Sequence, residues 1–288
     1  MSRSQNQERY LQRFQKVIDH IYDHLDEALD LNQLADIACV SPYHWHRIYS
    51  GMVGETIAAT IKRLRLHHAA GLLINSDQTI NQIADQSGYT SLQSFTRAFS
   101  ETYGLPPAKY RSNGSHQIFK VQAENRNDTM MDVTLKNIEA IDVLAISHTG
   151  SYMSIGNAFE KLFGWLGMKG LINPEMKSYG IYFSDPDSIP EAELQSAACA
   201  QVTAGSDLEL SYGIERKTIA AGEYAVLRHK GPYADMRSAY QWLYGTWLPA
   251  SGREVADQPC FEDYLNNPRE VAPAELLTDI YLPLKPAS

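Results

Sequence analysis

Apolar positions recur at helical spacing through the first third of the chain. Phe14, Val17, Ile18, Ile21 and Leu25 predict a packing helix over about 9–25. Leu31, Leu34, Ala35 and Ile37 predict a short helix that Asp30 caps. Trp45, Ile48 and Tyr49 predict another, capped by Ser41, with Pro42 at the first position, where a missing N–H costs nothing. One long helix is predicted from Glu55 to Asn75, with Ile57, Ile61, Leu64, Leu72 and Leu73 turned inward and Lys62, Arg63 and Arg65 left for solvent or phosphate. Ile80, Ile83 and Ala84 follow at the same period, Gly88 forces a sharp turn, and Thr90 or Ser91 caps a helix whose apolar positions are Leu92, Phe95 and Phe99.

Two of these helix pairs, over about 30–50 and 79–100, read as helix-turn-helix patterns. At about 100° per residue, Thr90, Gln93, Ser94 and Arg97 gather opposite the apolar side of the second pair. Tyr43, His46, Arg47 and Ser50 do the same in the first, at i, i+3, i+4 and i+7. A polar face bearing Arg suits a DNA groove. The run I-x-x-I-A-x-x-x-G-Y, S-F-T-R-A-F and G-L-P-P-A-K-Y-R, within Thr79 to Arg111, resembles the second helix-turn-helix of AraC-type transcription regulators. The resemblance implies that Tyr43, His46 and Arg47 stand where the family's first recognition helix meets bases, and Ser91, Gln93, Ser94, Thr96 and Arg97 where the second does. His46 departs from the amide that related regulators commonly carry there. The helix over 55–75 resembles the family's connecting helix, which holds two reading heads about 34 Å apart, one helical turn of DNA. Double-stranded DNA, read by a monomer, and RNA polymerase are the partners this implies.

Beyond residue 128 the chain repeats itself. AISHTGSYMSIGNAFEKLFGWL (145–166) aligns with VLRHKGPYADMRSAYQWLYGTW (226–247), pairing His148 with His229, Gly150 with Gly231, Tyr152 with Tyr233 and Gly164 with Gly245, each pair 81 residues apart. YGIYFSDP (179–186) then aligns with FEDYLNNP (261–268) at a spacing of 82, and further candidate strands lie near 197–202 and 279–284. The fold class expected is α plus α+β: an all-helical double helix-turn-helix domain over 1–111, a linker over 112–128 rich in Asn, Ser and Gly at its start, and over 129–288 a duplicated strand-helix-strand-strand α+β domain. Its two copies should join through a mixed or antiparallel sheet with helices on one side.

The H-x-G-x-Y turns, the F-E-D-Y strand and the closing T-D-I-Y-L-P-L resemble the GyrI-like small-molecule-binding domain over about residues 130–287. Strand alternation in CFEDYL puts Glu262 and Tyr264 on one face and Phe261, Asp263 and Leu265 on the other. In the paired strand, Gly180 and Tyr182 take the places of Glu262 and Tyr264. One carboxylate, two tyrosines and a glycine that leaves room compose an aromatic cage suited to a small lipophilic cation. Trp165, Phe183, Trp242 and Trp247 are near enough in the pattern to contribute. The resemblance places the family's acidic ligand-contacting residue in this F-E-x-Y type of strand. The bland alternative is that Glu262 is a solvent-facing strand residue. Two other readings of the second half stay open: a hydrolase with Glu262 as general base, since free-standing GyrI-like domains include hydrolases, and a protein-binding module. His148 and His229 are expected to pin their own turns.

Charge sharpens this division. The formal net charge is −9, yet residues 1–111 hold 11 Lys+Arg and 11 Asp+Glu, so the remainder carries the whole excess and should not be the nucleic-acid half. Cys39, Cys199 and Cys260 have no C-x-x-C spacing, which argues against a disulfide framework or zinc ribbon and for a reducing compartment. The start, MSRSQNQERY, has no apolar signal core, no run approaches a membrane span, and a cytoplasmic protein is expected. His44 and His46 sit about 200° apart on a helix and His67 and His68 are adjacent, so neither pair chelates one ion from one face. No metal, cofactor or catalytic residue is expected.

Overall fold

Capping chemistry sets the helices of the first 113 residues. The computed structural model describes residues 3–113, 131–173, 175–201, 208–268 and 270–287. Helix α1 spans Arg3–Asp23 and α2 spans Leu31–Ile37, where the Asp30 carboxylate accepts from the Asn32 N–H at 2.9 Å. Helix α3 spans Trp45–Val53 and starts later than its pattern predicts, because residues 42–44 form a turn in which the Ser41 carbonyl accepts the His44 and Trp45 N–H groups. Thr56 caps α4 (Ile57–Asn75), Thr79 and Gln82 form a reciprocal capping box on α5 (Ile80–Gln86), and Ser91 caps α6 (Leu92–Tyr103). Helix α7 (Pro107–Asn113) was not predicted and takes in residues 112 and 113 of the expected linker, the rest of which lies outside the described residues.

These elements group into two compact units that do not follow chain order. One comprises 9–39 and 53–127; the other comprises 1–8, 40–52 and 128–288. The division therefore departs from the domain expected over 1–111, since the segments 1–8 and 40–52 group with the second half.

In the first of these units, Leu66, Ala69, Ala70 and Leu73 of α4 pack against Ile83 and Ala84 of α5, Phe95 and Phe99 of α6 and Tyr110 of α7. Gly88, at φ 69°, is required at the turn between α5 and α6, where an added Cβ would lie 2.5 Å from the Leu25 carbonyl oxygen. Leu92 departs from its expected inward role and is 44% exposed, because it occupies the first residue of α6, ahead of the buried Phe95–Phe99 stripe.

The other unit is built on one antiparallel sheet: β1 (Val133–Ile138), β2 (Ile141–Thr149), β3 (Ser178–Tyr182), β4 (Gln195–Gln201), β5 (Ile214–Ile219), β6 (Gly222–Lys230), β7 (Cys260–Tyr264) and β8 (Leu277–Leu284). Its order is β1-β6-β8-β7-β3-β4-β2-β5. Each copy has a leading strand, β1 or β5, that the sequence reading missed. These strands are exchanged: β1 pairs with β6 of the second copy and β5 with β2 of the first. The copies meet where β3 pairs with β7. Helix α8 (Gly156–Met168) packs on β2 and β4, and α9 (Met236–Trp242), which continues through a π-helical turn (Leu243–Trp247) into α10 (Leu248–Ser251), packs on β6. Both helices lie on the sheet face that carries Glu262. Tyr179, Ile181, Tyr224, Phe261 and Tyr281 fill the other face.

Candidate functional site

The two sheet copies converge on a single buried carboxylate. Gly180 and Glu262 are direct partners across the β3–β7 junction, and Glu262 is 5% exposed. The Tyr240 hydroxyl donates to its Oε1 at 2.8 Å and the Tyr264 hydroxyl to its Oε2 at 2.9 Å. With the Tyr264 proton so used, the 2.6 Å contact between the Tyr182 and Tyr264 hydroxyls has Tyr182 as donor. Gly180 makes this possible, because a Cβ there would lie 2.6 Å from the Tyr264 hydroxyl and 3.0 Å from that of Tyr182. Burial raises the Glu262 pKa above its ordinary 4.5, against the lowering influence of Tyr240, Tyr264, Tyr182 and Arg47.

Further rings wall this centre. Tyr152 meets Tyr182 edge-on at 4.8 Å, and Phe159 and Tyr233 meet Tyr264 edge-on at 5.7 and 5.6 Å. Tyr152, Phe159, Tyr233, Tyr240 and Tyr264 are each only partly buried, so the aromatic walls reach solvent. The arrangement brings Glu262, Tyr264, Tyr182 and Gly180 together as the strand pattern expects. It does not bring in Phe183 or Trp165. Phe183 follows Tyr182 and so points to the other sheet face, where it packs against the Tyr179 and Phe261 cluster. Trp165 lies within the core under α8, its indole N–H donating to Ser211 at 2.9 Å.

Sequence reasoning missed Tyr240, Tyr152, Tyr233 and Phe159 as site residues. A signal was present: Tyr152 and Tyr233 are the tyrosines of the two H-x-G-x-Y turns, and the 81-residue spacing pairs Phe159 with Tyr240. The His148 and His229 rings pin these turns as expected, meeting the Ser151 and Pro232 carbonyls at 3.0 and 3.2 Å.

The expected base-reading residues divide sharply. On α6, Ser91, Gln93, Ser94 and Arg97 are exposed and Thr96 is partly buried; the Arg97 side chain is 82% exposed and pairs with Glu101 at 2.9 Å. Ser91 and Ser94 also close the helix cap on each other. On α3, Tyr43 is exposed, whereas the Arg47 side chain is only 10% exposed. His46 is partly buried, accepts from the Trp45 indole N–H at 3.1 Å, and its pKa is lowered by burial against the raising influence of Asp185. Of the basic residues expected on α4, Arg65 is not left for phosphate: it donates to the Leu25 and Glu27 carbonyls at 2.9 and 2.6 Å. Arg63 pairs with Glu55 at 2.6 Å, and exposed Lys62 lies 3.7 Å from Glu101.

His44 is a buried tie between α3 and the sheet unit. Its Nε2 faces the Gln258 carbonyl and its Nδ1 the Tyr244 hydroxyl, both at 2.7 Å. A carbonyl only accepts, so Nε2 carries the proton and Tyr244 donates to Nδ1. Burial, aided by Arg47, lowers the His44 pKa to about 3.

Among the described residues no group of His, Cys, Asp and Glu is arranged to hold a metal ion, and no helix is long and apolar enough to cross a membrane. Cys39, Cys199 and Cys260 are free thiols.

Helix-turn-helix elements joined to a duplicated sheet with a buried acid in an aromatic cage define a DNA-binding transcription regulator with a small-molecule-binding domain. Residues 131–285 match the GyrI-like small molecule binding domain and residues 34–113 match a helix-turn-helix domain, so the chain belongs to the GyrI-like family and carries an AraC-type helix-turn-helix before that domain. Among bacterial relatives, the right origin-binding protein of Escherichia coli is 27% identical over 239 residues, which cover 78% of this chain and 81% of that one. The probable transcriptional regulator YgiV of E. coli is 27% identical over 156 residues, 54% of this chain and 96% of its own. The uncharacterized HTH-type transcriptional regulator YbfP of Bacillus subtilis is 35% identical over 103 residues; the match spans 36% of this chain and about a third (35%) of YbfP.

Proposed function

We propose that this protein binds specific double-stranded DNA through its helix-turn-helix elements and changes that binding in response to a small lipophilic cation held at Glu262. The observation that carries the reading is a carboxylate 5% exposed, ringed by tyrosines and, among the described residues, without a directly bonded basic partner. Ionised, such a group favours a cation; the rings add cation–π attraction and apolar area while excluding water. The names of the E. coli relatives, an origin-binding protein and a probable regulator, accord with DNA binding and regulation.

The reading includes a monomer on an asymmetric site of about two helical turns, with RNA polymerase as the downstream partner. Binding of the full chain to genomic DNA fragments, with and without a panel of lipophilic cations, anions and neutral analogues, tests it. Cations alone should shift DNA affinity; a shift produced equally by anions would sink the charge assignment.

A further inference from the structure

Of the residues at α3 that the sequence assigns to DNA bases, Tyr43 is exposed, but Arg47 is turned into the unit that carries the cage, and its neighbours in sequence are docked there too. The Ser41 hydroxyl donates to Asp257 at 2.7 Å, and His44 bridges Tyr244 and the Gln258 carbonyl. One turn on, the Arg47 guanidinium lies 4.5 Å from the Tyr240 ring centroid and 5.6 Å from that of Tyr244. A further turn on, Gly51 meets Gly245 of the π-helical turn backbone to backbone: a Cβ on Gly51 would lie 2.7 Å from the Gly245 Cα, and one on Gly245 would lie 2.5 Å from the Gly51 carbonyl oxygen.

Arg47 is thus a cation already seated on a wall of the cage, since the ring it covers is the one whose hydroxyl donates to Glu262. Its guanidinium also donates to the Ser184 carbonyl at 3.2 Å. The Asp185 carboxylate stands 3.8 Å away and already accepts from the Asp187 N–H and the Ser188 hydroxyl. A side chain so placed cannot also reach a base edge.

We propose that Arg47 is a tethered competitor of the cationic effector: seated on Tyr240 it withholds α3 from DNA, and a lipophilic cation entering beside Glu262 displaces it and frees it to read a base. The inference rests on the cation-sensing reading above. Two cations that share Tyr240 and the field of Glu262 in a water-poor site repel each other, so each lowers the other's occupancy. The cation-bound state and the state with Arg47 released then favour one another, and the coupling is reciprocal: DNA that takes up Arg47 tightens cation binding by the same factor.

Three full-length proteins decide this: wild type, Arg47→Met, and Gly51→Ala, which keeps Arg47, improves helix propensity and clashes only with the docked position. Each is titrated calorimetrically with tetraphenylphosphonium and with neutral triphenylphosphine oxide, then assayed on a DNA site selected by the wild type, with circular dichroism confirming the fold. Both variants should bind the phosphonium about tenfold more tightly than wild type, with the oxide unchanged, one tenfold step being 1.4 kcal/mol. Gly51→Ala should also bind DNA more tightly without cation, while Arg47→Met loses discrimination at one base pair. Should Arg47→Met misfold, Gly51→Ala alone decides. Phosphonium binding that is equal in all three, or weaker in the variants, overturns the displaced-arginine mechanism and leaves cation sensing standing. No phosphonium binding by any of them overturns both.

Discussion

Gly180 lies directly opposite Glu262 on the line where the two sheet copies meet, and the space its missing side chain leaves is taken by the hydroxyls of Tyr182 and Tyr264. Duplication alone would place similar residues at both positions. The difference between them gives one acid and one gap, so the cage holds a single charge at its centre.

Gly180→Ala should therefore destabilise the protein although alanine ordinarily suits a strand better than glycine. The new Cβ would force the Tyr182–Tyr264 hydroxyl pair apart, and overpacking of this kind costs roughly 1–3 kcal/mol. Chemical denaturation of both proteins at one pH measures it. A midpoint equal to or above wild type would mean the tyrosines move aside freely.

Arg97 and Arg65 should separate base reading from folding. The Arg97 side chain is 82% exposed on α6, and a bidentate contact to guanine is worth about 1–3 kcal/mol of discrimination. Arg97→Ala should relax sequence choice at one position of the site, measured by selection from a randomised DNA pool; uniform weakening on all sequences would remove its base contact. Arg65→Ala instead strips donors from the Leu25 and Glu27 carbonyls beside Gly88, and should lower thermal stability by roughly 1–3 kcal/mol. Its DNA sequence preference should not change.

The features legible in the sequence were those set by short-range rules. Helical periodicity found α1 to α6, and caps at Asp30 and Ser91 fixed the starts of α2 and α6. Strand alternation placed Glu262, Tyr264, Tyr182 and Gly180 on one face. What failed depended on partners far away in the chain. Strands β1 and β5 have largely exposed, unremarkable patterns, and they are strands because β6 and β2 of the opposite copies pair with them. Tyr240 reaches Glu262 from a helix, which no strand period can report. Phe183 was assigned by nearness in sequence, although its odd offset from Tyr182 already excluded it from that face. Arg65 fits a solvent-facing helix pattern, and only the tertiary position of the Leu25 and Glu27 carbonyls gives it another task.

His44 should make folding acid-sensitive. Its folded-state pKa is depressed from 6.5 to about 3, so the unfolded chain takes up a proton first as pH falls. The stability it contributes is complete above about pH 6.5 and is lost progressively as pH drops toward about 3, with a slope of at most about 1.4 kcal/mol per pH unit. His44→Gln has no such proton to gain. It should be less stable at neutral pH, since a flexible Gln side chain loses more rotamer freedom than the rigid ring in meeting Tyr244 and Gln258, yet flatter between pH 6.5 and 4. Parallel denaturation profiles of the two proteins across that range would show that the ring is protonated without cost.

Glu262 acts in the opposite direction, and one substitution reads both its stability and its ligand role. Burial holds its pKa above 4.5, so the folded state keeps a proton that the unfolded chain has released. The associated stability is present below about pH 4.5 and is lost as pH rises through the raised value, again by at most about 1.4 kcal/mol per pH unit. Glu262→Gln removes this slope and should gain on wild type as pH rises. Ligand binding follows the other protonation state, because only the carboxylate attracts a cation. Wild-type affinity for a lipophilic cation should therefore rise with pH through the same window, while affinity for a neutral analogue of the same shape stays flat. Gln keeps the size of the side chain and one carbonyl acceptor but none of the charge, so it should weaken the cation at neutral pH by about tenfold or more, the equivalent of 1.4 kcal/mol, and make its binding independent of pH. Calorimetric titration of both proteins with one cation and one neutral analogue, at two pH values, contains the whole comparison. Equal cation affinities for wild type and variant at the higher pH would remove Glu262 from the site.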